Sequence, residues 1–177
     1  MFDQLPQGVR IQESPFLTML TLRLDPAGPV SAAVGRTLGA ELPTTPCTFV
    51  KGSEAELLWL GPDEWLIVAG PGEATGLSAA LRAAIGDTHG TLTDVSAQRT
   101  TLDLTGPLTR DILARGCAID LHPQVSPPGT CVQTLLARTG IVLQVRAGDT
   151  AAVRLLVRSS FAGYLAAWLA DACAEYR

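Results

Sequence analysis

The sequence predicts an α+β fold made of two duplicated halves, each running strand, helix, several strands, helix. An alternating apolar and polar segment followed by Gly-Pro and a helical pattern occurs at Leu20–Leu24 with Gly28-Pro29, and again at Thr100–Leu104 with Gly106-Pro107. This repeat indicates an internal duplication. Apolar runs bounded by turn residues separate the two helices of each half, which indicates mainly antiparallel sheet. Such halves are ferredoxin-like. The pattern does not decide whether the two halves join into one larger sheet or into a partly closed barrel.

The domain boundaries are predicted from changes in composition along the chain. Residues 1–15 are polar and contain prolines, so we predict an N-terminal lead-in segment without a helix. Residues 16–88 form the first α+β half and residues 89–177 the second. At 177 residues the chain is long enough for both halves to belong to one compact unit.

The first half contains a predicted helix, a hairpin and a second helix. Gly28-Pro29 begins the first helix and Gly39 ends it. Two apolar runs, Leu57–Leu60 and Trp65–Val68, flank a Gly-Pro-Asp-Glu turn and predict a hairpin. Their nearly continuous apolarity predicts that both faces are covered, or that one face meets a partner. The second helix is predicted at Glu73–Ile85.

The second half repeats this plan. Pro107 is predicted in the first helical turn, and Gly116 is predicted to end that helix in the left-handed conformation. Three strands follow: Cys131–Arg138, Ile141–Arg146 and Ala152–Val157.

The end of the second half carries the strongest helical pattern of the chain. A turn is predicted at Thr139-Gly140, between the first two of these strands. The last helix is predicted to be capped by Ser159 or Ser160, because apolar residues from Phe161 to Ala172 follow helical spacing.

Composition excludes several classes of function. The net charge is −4 and Lys51 is the only lysine, so the basic surface of a nucleic-acid-binding protein is absent. The first ten residues lack a secretion signal and no apolar stretch is long enough to span a membrane, so we predict a cytoplasmic protein. Charged residues make up only 17% of the chain, against a typical value of about 25%. This low fraction has two explanations that the sequence leaves open: an apolar surface buried against a partner, or a general bias in amino-acid composition.

No catalytic, cofactor-binding or metal-binding residue is predicted from the motifs. His89 and His122 lie in irregular segments without a positioned partner for proton transfer. Ser96 and Ser159-Ser160 lack a nucleophile motif and are predicted to serve in turns and caps. The four cysteines are far apart and are predicted to be buried free thiols: Cys47, Cys117, Cys131 and Cys173.

Charged and aromatic side chains are predicted to have structural roles. Asp63-Glu64 lies in a turn and is predicted to face solvent, and Asp120 is predicted to pair with Arg99. Trp168 is predicted in the core. Two further tryptophans, Trp59 and Trp65, flank the hairpin closely enough to pair across it, and the sequence leaves open whether they serve the core or an interface.

Four segments resemble the gamma subunit of heterotetrameric sarcosine oxidase. They are LGPDEWLIV at Leu60–Val68, the run from Asp94 to Pro123, PPGTCVQTLLAR at Pro127–Arg138, and the run from Leu155 to Tyr176. The resemblance covers most of the chain from about Glu56 onward. LGPDEWL alone also resembles the folate-binding domain shared by the aminomethyltransferase of the glycine cleavage system and its relatives.

This resemblance implies a subunit of an enzyme complex that demethylates sarcosine oxidatively to glycine, with hydrogen peroxide formed and the one-carbon unit passed to tetrahydrofolate. It implies alpha, beta and delta subunits as partners, which bind the flavins, NAD and zinc, with tetrahydrofolate as co-substrate of the complex. The implied fold is the folate-binding, aminomethyltransferase-like architecture. No catalytic residue carries over, so the chain itself is expected to be a non-catalytic assembly subunit.

The alternative is a stand-alone folate-binding, aminomethyltransferase-like protein. The chain is shorter than the full domain set of that family. It also offers no identifiable acid positioned for the folate. These two points favour the subunit.

Overall fold

The computed structural model describes residues 5–176, so residues 1–4 of the predicted lead-in segment and residue 177 lie outside the described residues. These residues form an α+β fold with ten strands and four α-helices. The strands are β1 (Arg10–Glu13), β2 (Leu17–Leu24), β3 (Phe49–Lys51), β4 (Glu56–Gly61), β5 (Glu64–Pro71), β6 (Gly90–Asp94), β7 (Arg99–Thr105), β8 (Cys131–Leu136), β9 (Thr139–Arg146) and β10 (Ala152–Arg158). The helices are α1 (Ser31–Leu38), α2 (Ala74–Ile85), α3 (Thr109–Ala114) and α4 (Ala162–Ala172). The predicted fold class is confirmed.

The chain divides into two compact units, each with its own antiparallel sheet. Residues Phe16–Ala97 form a sheet in the order β3-β4-β5-β2-β6. Helices α1 and α2 pack on it through Val34, Leu38 and Leu81, which share a buried core with Leu22 of β2. One face of each strand therefore supplies the core of this unit, as alternation along β2 predicts.

The other unit contains β1 and the residues from Gln98 onward. Its sheet has the order β1-β7-β10-β9-β8. Leu104 of β7, Leu155 of β10, Ile112 of α3 and Leu165 of α4 share its buried core. Trp168, predicted in the core, is half-buried and packs against this cluster.

The two sheets have the same strand order, which gives the predicted repeat a structural counterpart. Strands β2 to β5 correspond to β7 to β10, and the position of β6 is taken by β1. Each Gly-Pro also begins its helix with the same turn: Ser31 N–H donates to the Gly28 carbonyl at 3.2 Å, and Thr109 N–H to the Gly106 carbonyl at 3.1 Å. The prolines precede the N-cap residues of α1 and α3, so Pro107 lies just before the first helical turn.

Strands β1 and β6 were not predicted, and they change the boundaries. β6 pairs with β2 and extends the first unit to Ala97, whereas the sequence predicted a boundary after residue 88. β1 lies in the predicted lead-in segment and pairs with β7. Both strands are short, and each has only one buried residue, Leu92 in β6 and Ile11 in β1. One apolar residue is too weak a signal for a strand.

The turn between β8 and β9 lies two residues before its predicted position. Leu136 pairs with Thr139, so the turn consists of Ala137 and Arg138, with φ values of 49° and 71°. Two positive φ values indicate a type I′ turn, which usually contains asparagine or glycine. Gly140, which suggested the turn, lies in β9 instead. The Tyr164 hydroxyl donates a hydrogen bond to the Ala137 carbonyl and so helps to hold this unusual turn.

Two predicted helix ends differ from the structure. Arg115, in the right-handed conformation, is the C-cap of α3, so Gly116 does not end the helix in the left-handed region. Gly116 is needed for another reason, because a Cβ there would lie 2.5 Å from Cζ2 of Trp168. At α4 the N-cap is Phe161, without a side-chain capping hydrogen bond, because Ser159 lies in the preceding 3₁₀ turn.

The predicted hairpin is β4 and β5, and Trp59 pairs directly with Trp65 across it. Consecutive residues of a strand point to opposite faces. Leu57 and Leu58 are both fully buried, as are Leu66 and Trp65. Leu57 and Trp65 belong to the core of this unit, and Leu58 and Leu66 on the opposite face are buried as well, which corresponds to the first of the two predicted alternatives.

Candidate functional site

A row of polar side chains crosses the β1-β7-β10-β9 sheet on the face opposite its helices. Leu102 and Leu104 of β7 enter the core, so Asp103 between them points to the other face. The strand register places Gln12, Asp103, Arg154 and Gln144 side by side in this row. Polar groups at this register can bond directly across the strands.

Asp103 is the centre of this row. Arg154 holds it with two parallel hydrogen bonds, Nε to Oδ1 at 2.8 Å and Nη2 to Oδ2 at 3.1 Å. Ser14, just after β1, donates its hydroxyl to Oδ2 at 2.6 Å. The two charged side chains are only 15% and 25% exposed, so water screens this pair less than a surface pair.

The electrostatics of the row keep the carboxylate ionised. Burial alone would raise the pKa of Asp103, but the hydrogen bonds from Arg154 and Ser14 and the charges of Arg154 and Arg146 outweigh it and lower that pKa. A carboxylate with a lowered pKa is a weak base. The arrangement is therefore suited to fixing the geometry of β1, β7 and β10, and not to proton transfer.

We expect Asp103→Asn to destabilise the protein by about 1–3 kcal/mol at pH 7, because the charged hydrogen bonds to Arg154 are lost. The folded pKa lies below the unfolded value of about 3.9, so this stabilisation is present above that value and is lost as pH falls through the folded pKa. Urea unfolding of both proteins from about pH 7 to about pH 2 measures the difference, which should shrink at acid pH. Asp171→Asn on the exposed side of α4 is the control, and an equal loss there would contradict this role.

The sequence did not single out this row. The alternation of β7 already places Asp103 opposite the leucines. The missing information was the register that brings Arg154 and Ser14 to it, because their strands are far apart in the sequence.

The two histidines belong to different units, and both are exposed. His89 borders an open cavity of about 600 Å³ with Arg23, Asp25 and Asp63. His122 accepts a hydrogen bond at Nδ1 from the Gln124 N–H at 3.3 Å, a contact within its own turn. His122 is not a member of the Asp103 row, and His89 belongs to the other unit.

The other candidate residues make local contacts. Asp63 and Glu64 lie at the β4–β5 turn and approach Nη2 of Arg23 at 3.5 and 3.6 Å, so they form exposed ion pairs. Asp120, expected to pair with Arg99, instead accepts a hydrogen bond from the His122 backbone N–H at 2.8 Å. The predicted ion pair is wrong because this turn closes on its own backbone.

Ser96 has the turn role expected for it. Its hydroxyl donates to Oδ1 of Asp94 at 2.6 Å and accepts the Met19 N–H at 3.0 Å. Hydrogen bonds from the Ser96 side chain and backbone lower the pKa of Asp94. These contacts tie the end of β6 to β2 within one sheet.

The cysteines differ in exposure. Cys131 and Cys173 are buried free thiols, as predicted. Cys117 is half-buried, and desolvation raises its pKa. Cys47 is exposed, which contradicts the prediction, because it lies in the turn before β3 with a φ of 59°.

Residues 5–176 contain neither a cluster suited to a metal ion nor a helix suited to a membrane span. No group of three or more His, Cys, Asp or Glu side chains is arranged to hold a metal ion among them. Within the same range, no helix has the length and apolar character needed to cross a membrane.

Comparison with known proteins identifies the family. The model of the sarcosine oxidase, gamma subunit family matches residues 23–175. The chain belongs to this family. It is 35% identical to the sarcosine oxidase subunit gamma of Corynebacterium sp. (strain P-1), over 95% of this chain and 81% of the relative. It is 34% identical to the protein of the same name from Arthrobacter sp., over 96% and 82%. The predicted resemblance is confirmed.

Solved structures extend the comparison of this gamma-subunit family member. A chain of the heterotetrameric sarcosine oxidase from Corynebacterium sp. U-96, in complex with pyrrole 2-carboxylate, matches with a TM-score of 0.87 and 34% identity, over 95% of this chain and 85% of that chain. Aminomethyltransferase T of the glycine cleavage system from Bartonella henselae matches with a TM-score of 0.69, over 92% and 45%. At 13% identity the second match shows a shared fold alone, which is the predicted aminomethyltransferase-like architecture.

Proposed function

We propose that this chain is a non-catalytic subunit that stabilises a heterotetrameric sarcosine oxidase in the cytoplasm. Its partners are the alpha, beta and delta subunits, which bind the flavins, NAD and zinc, and the complex passes the one-carbon unit of sarcosine to tetrahydrofolate. This proposal rests on the structural match between 95% of this chain and a chain of a heterotetrameric sarcosine oxidase. The ionised Asp103, held by Arg154 and Ser14, supports a structural role for this polar row.

Co-expression of this chain with the other subunits tests the proposal. We expect one complex that co-purifies in a single peak and oxidises sarcosine. Omission of this chain should lower the yield of assembled enzyme more than the turnover of the enzyme that still assembles, because a bound subunit stabilises its partners by mass action. Yield is measured by gel filtration and turnover by hydrogen peroxide formed per assembled enzyme. A fully assembled and stable oxidase without this chain would refute the proposal.

The alternative of a stand-alone folate-binding protein draws on the aminomethyltransferase-like fold. Titration of the isolated chain with tetrahydrofolate separates the two hypotheses. The subunit hypothesis predicts no saturable binding by the isolated chain. Saturation in the micromolar range, with one folate per chain, would favour the alternative.

A further inference from the structure

Exposed apolar side chains lie at one end of the β1-β7-β10-β9-β8 sheet, with Leu135 on the face opposite the helices and two aromatic rings on the helix side. Leu135, at the end of β8, is 53% exposed, and Phe161 and Tyr164, at the start of α4, are 44% and 46% exposed. The two rings meet edge to face, with centroids 6.4 Å apart. Because the Tyr164 hydroxyl binds the Ala137 carbonyl in the β8–β9 turn, the aromatic pair is fixed beside the end of β8. We call these three residues, with the arginines described next, the Leu135–Tyr164 patch.

Three arginines lie at the same end of this sheet. Arg99 of β7 is directly opposite Arg158 of β10, and Arg138 is in the β8–β9 turn. Like charges at directly opposite positions destabilise a sheet, so this pair costs the fold some stability. Neither Arg138 nor Arg158 forms an ion pair with any residue from 5 to 176. This end of the sheet is therefore locally positive, although the net charge of the chain is −4.

The surface between these arginines is concave. A cavity of about 360 Å³ is lined by Arg99 and Arg158 on one side and by Leu135 and Gln133 on the other. Gly140 forms part of its floor, and no atom lies within 4 Å of the place where a Cβ would be. The missing side chain leaves room for a side chain of a bound segment.

We propose that the Leu135–Tyr164 patch binds an acidic segment of another subunit of the oxidase complex. The inference rests on the proposed function. Interfaces are enriched in aromatic residues and arginine, and their central residues are apolar, which is the composition of this patch. The positive charge of the patch favours an acidic segment as its partner, because complementary charges determine which surfaces associate. The segment places carboxylates against Arg138 and Arg158 and an apolar side chain against Leu135.

The test uses the full-length chain and the other subunits of the complex, purified without it. Association is measured by the concentration dependence of assembly at low and at high salt. We expect Arg158→Glu to weaken association by about 30-fold or more, the loss typical of a central interface residue. Association of the wild-type chain should weaken as salt rises, and this dependence should be smaller for the variant. Leu135→Ser should weaken association equally at low and high salt.

Matched controls lie elsewhere on the chain. Arg36→Glu, at the exposed end of α1, reverses a charge outside the patch, and Val125→Ser removes an exposed apolar side chain that is 60% accessible. Arg138→Glu, in an exposed turn, replaces Arg158→Glu if thermal unfolding shows that the latter is poorly folded. Wild-type assembly with undiminished binding by all patch variants would overturn this inference and leave the proposed function intact. Failure of the wild-type chain to assemble would overturn the proposed function itself.

Discussion

Replacing Trp65 with alanine is expected to destabilise the protein by about 3–5 kcal/mol, the usual cost of emptying a large buried aromatic site. Trp65 is fully buried in the core of the Phe16–Ala97 unit. Its Nε1 also donates a hydrogen bond of 2.8 Å to the Pro43 carbonyl. The alanine variant therefore leaves a cavity and a buried carbonyl without its partner.

Trp59→Ala is the control for this prediction. Trp59 lies directly opposite Trp65 in the hairpin but is only half-buried, so its loss should cost less than half as much. The free energy of unfolding in urea, followed by circular dichroism, measures both variants. Equal losses would show that the cross-strand contact, and not burial, accounts for the contribution of Trp65.

Gly106→Ala is expected to destabilise the protein by about 3 kcal/mol or more. Gly106 has a φ of 118°, a conformation that costs other residues about 1–3 kcal/mol. A Cβ there would also lie 2.3 Å from the Gly8 carbonyl oxygen, which accepts the Leu108 N–H. Relief of this clash would move the segment before β1 away from the start of α3.

Gly28→Ala is the matched control, since Gly28 occupies the equivalent turn before α1. Gly28 has no positive φ, and its nearest neighbour would be the Asp25 carbonyl at 3.1 Å. We expect a loss of about 1 kcal/mol or less, measured by urea unfolding as for the other variant. Similar losses at both glycines would mean that the close approach of Gly8 does not constrain the fold.

Local signals predicted the long elements and missed what depends on distant partners. The apolar runs around Trp59 and Trp65 and the spacing of α2 were strong enough to define a hairpin and a helix. β1 is stable as an edge strand only because β7 supplies its hydrogen bonds, and no local pattern records that pairing. The β8–β9 turn was misplaced because the structure strains Ala137 and Arg138 and leaves Gly140 in the strand.

The polar row depended even more on tertiary structure. Asp103 was visible in the sequence as the polar residue of an alternating strand. Arg154 becomes its partner through the β7–β10 register, and Ser14 through the β1–β7 pairing. Periodicity gives the face of a side chain, but register decides which neighbour it meets.

The pairing of β1 with β7 gives the two units different requirements during synthesis on the ribosome. Every strand of the Phe16–Ala97 sheet comes from one continuous stretch, so its pairings are available as soon as that stretch has emerged. The other sheet takes its edge strand from residues 10–13 and its remaining strands from residue 99 onward. Arg10–Glu13 leaves the ribosome before the Phe16–Ala97 unit, but it can pair with β7 only after that unit has been made. Pairing of two strands so distant in the sequence is expected to be slower than pairing within the continuous unit. Arg10–Glu13 is therefore made before the Phe16–Ala97 unit and takes its place in a sheet only after that unit has been made.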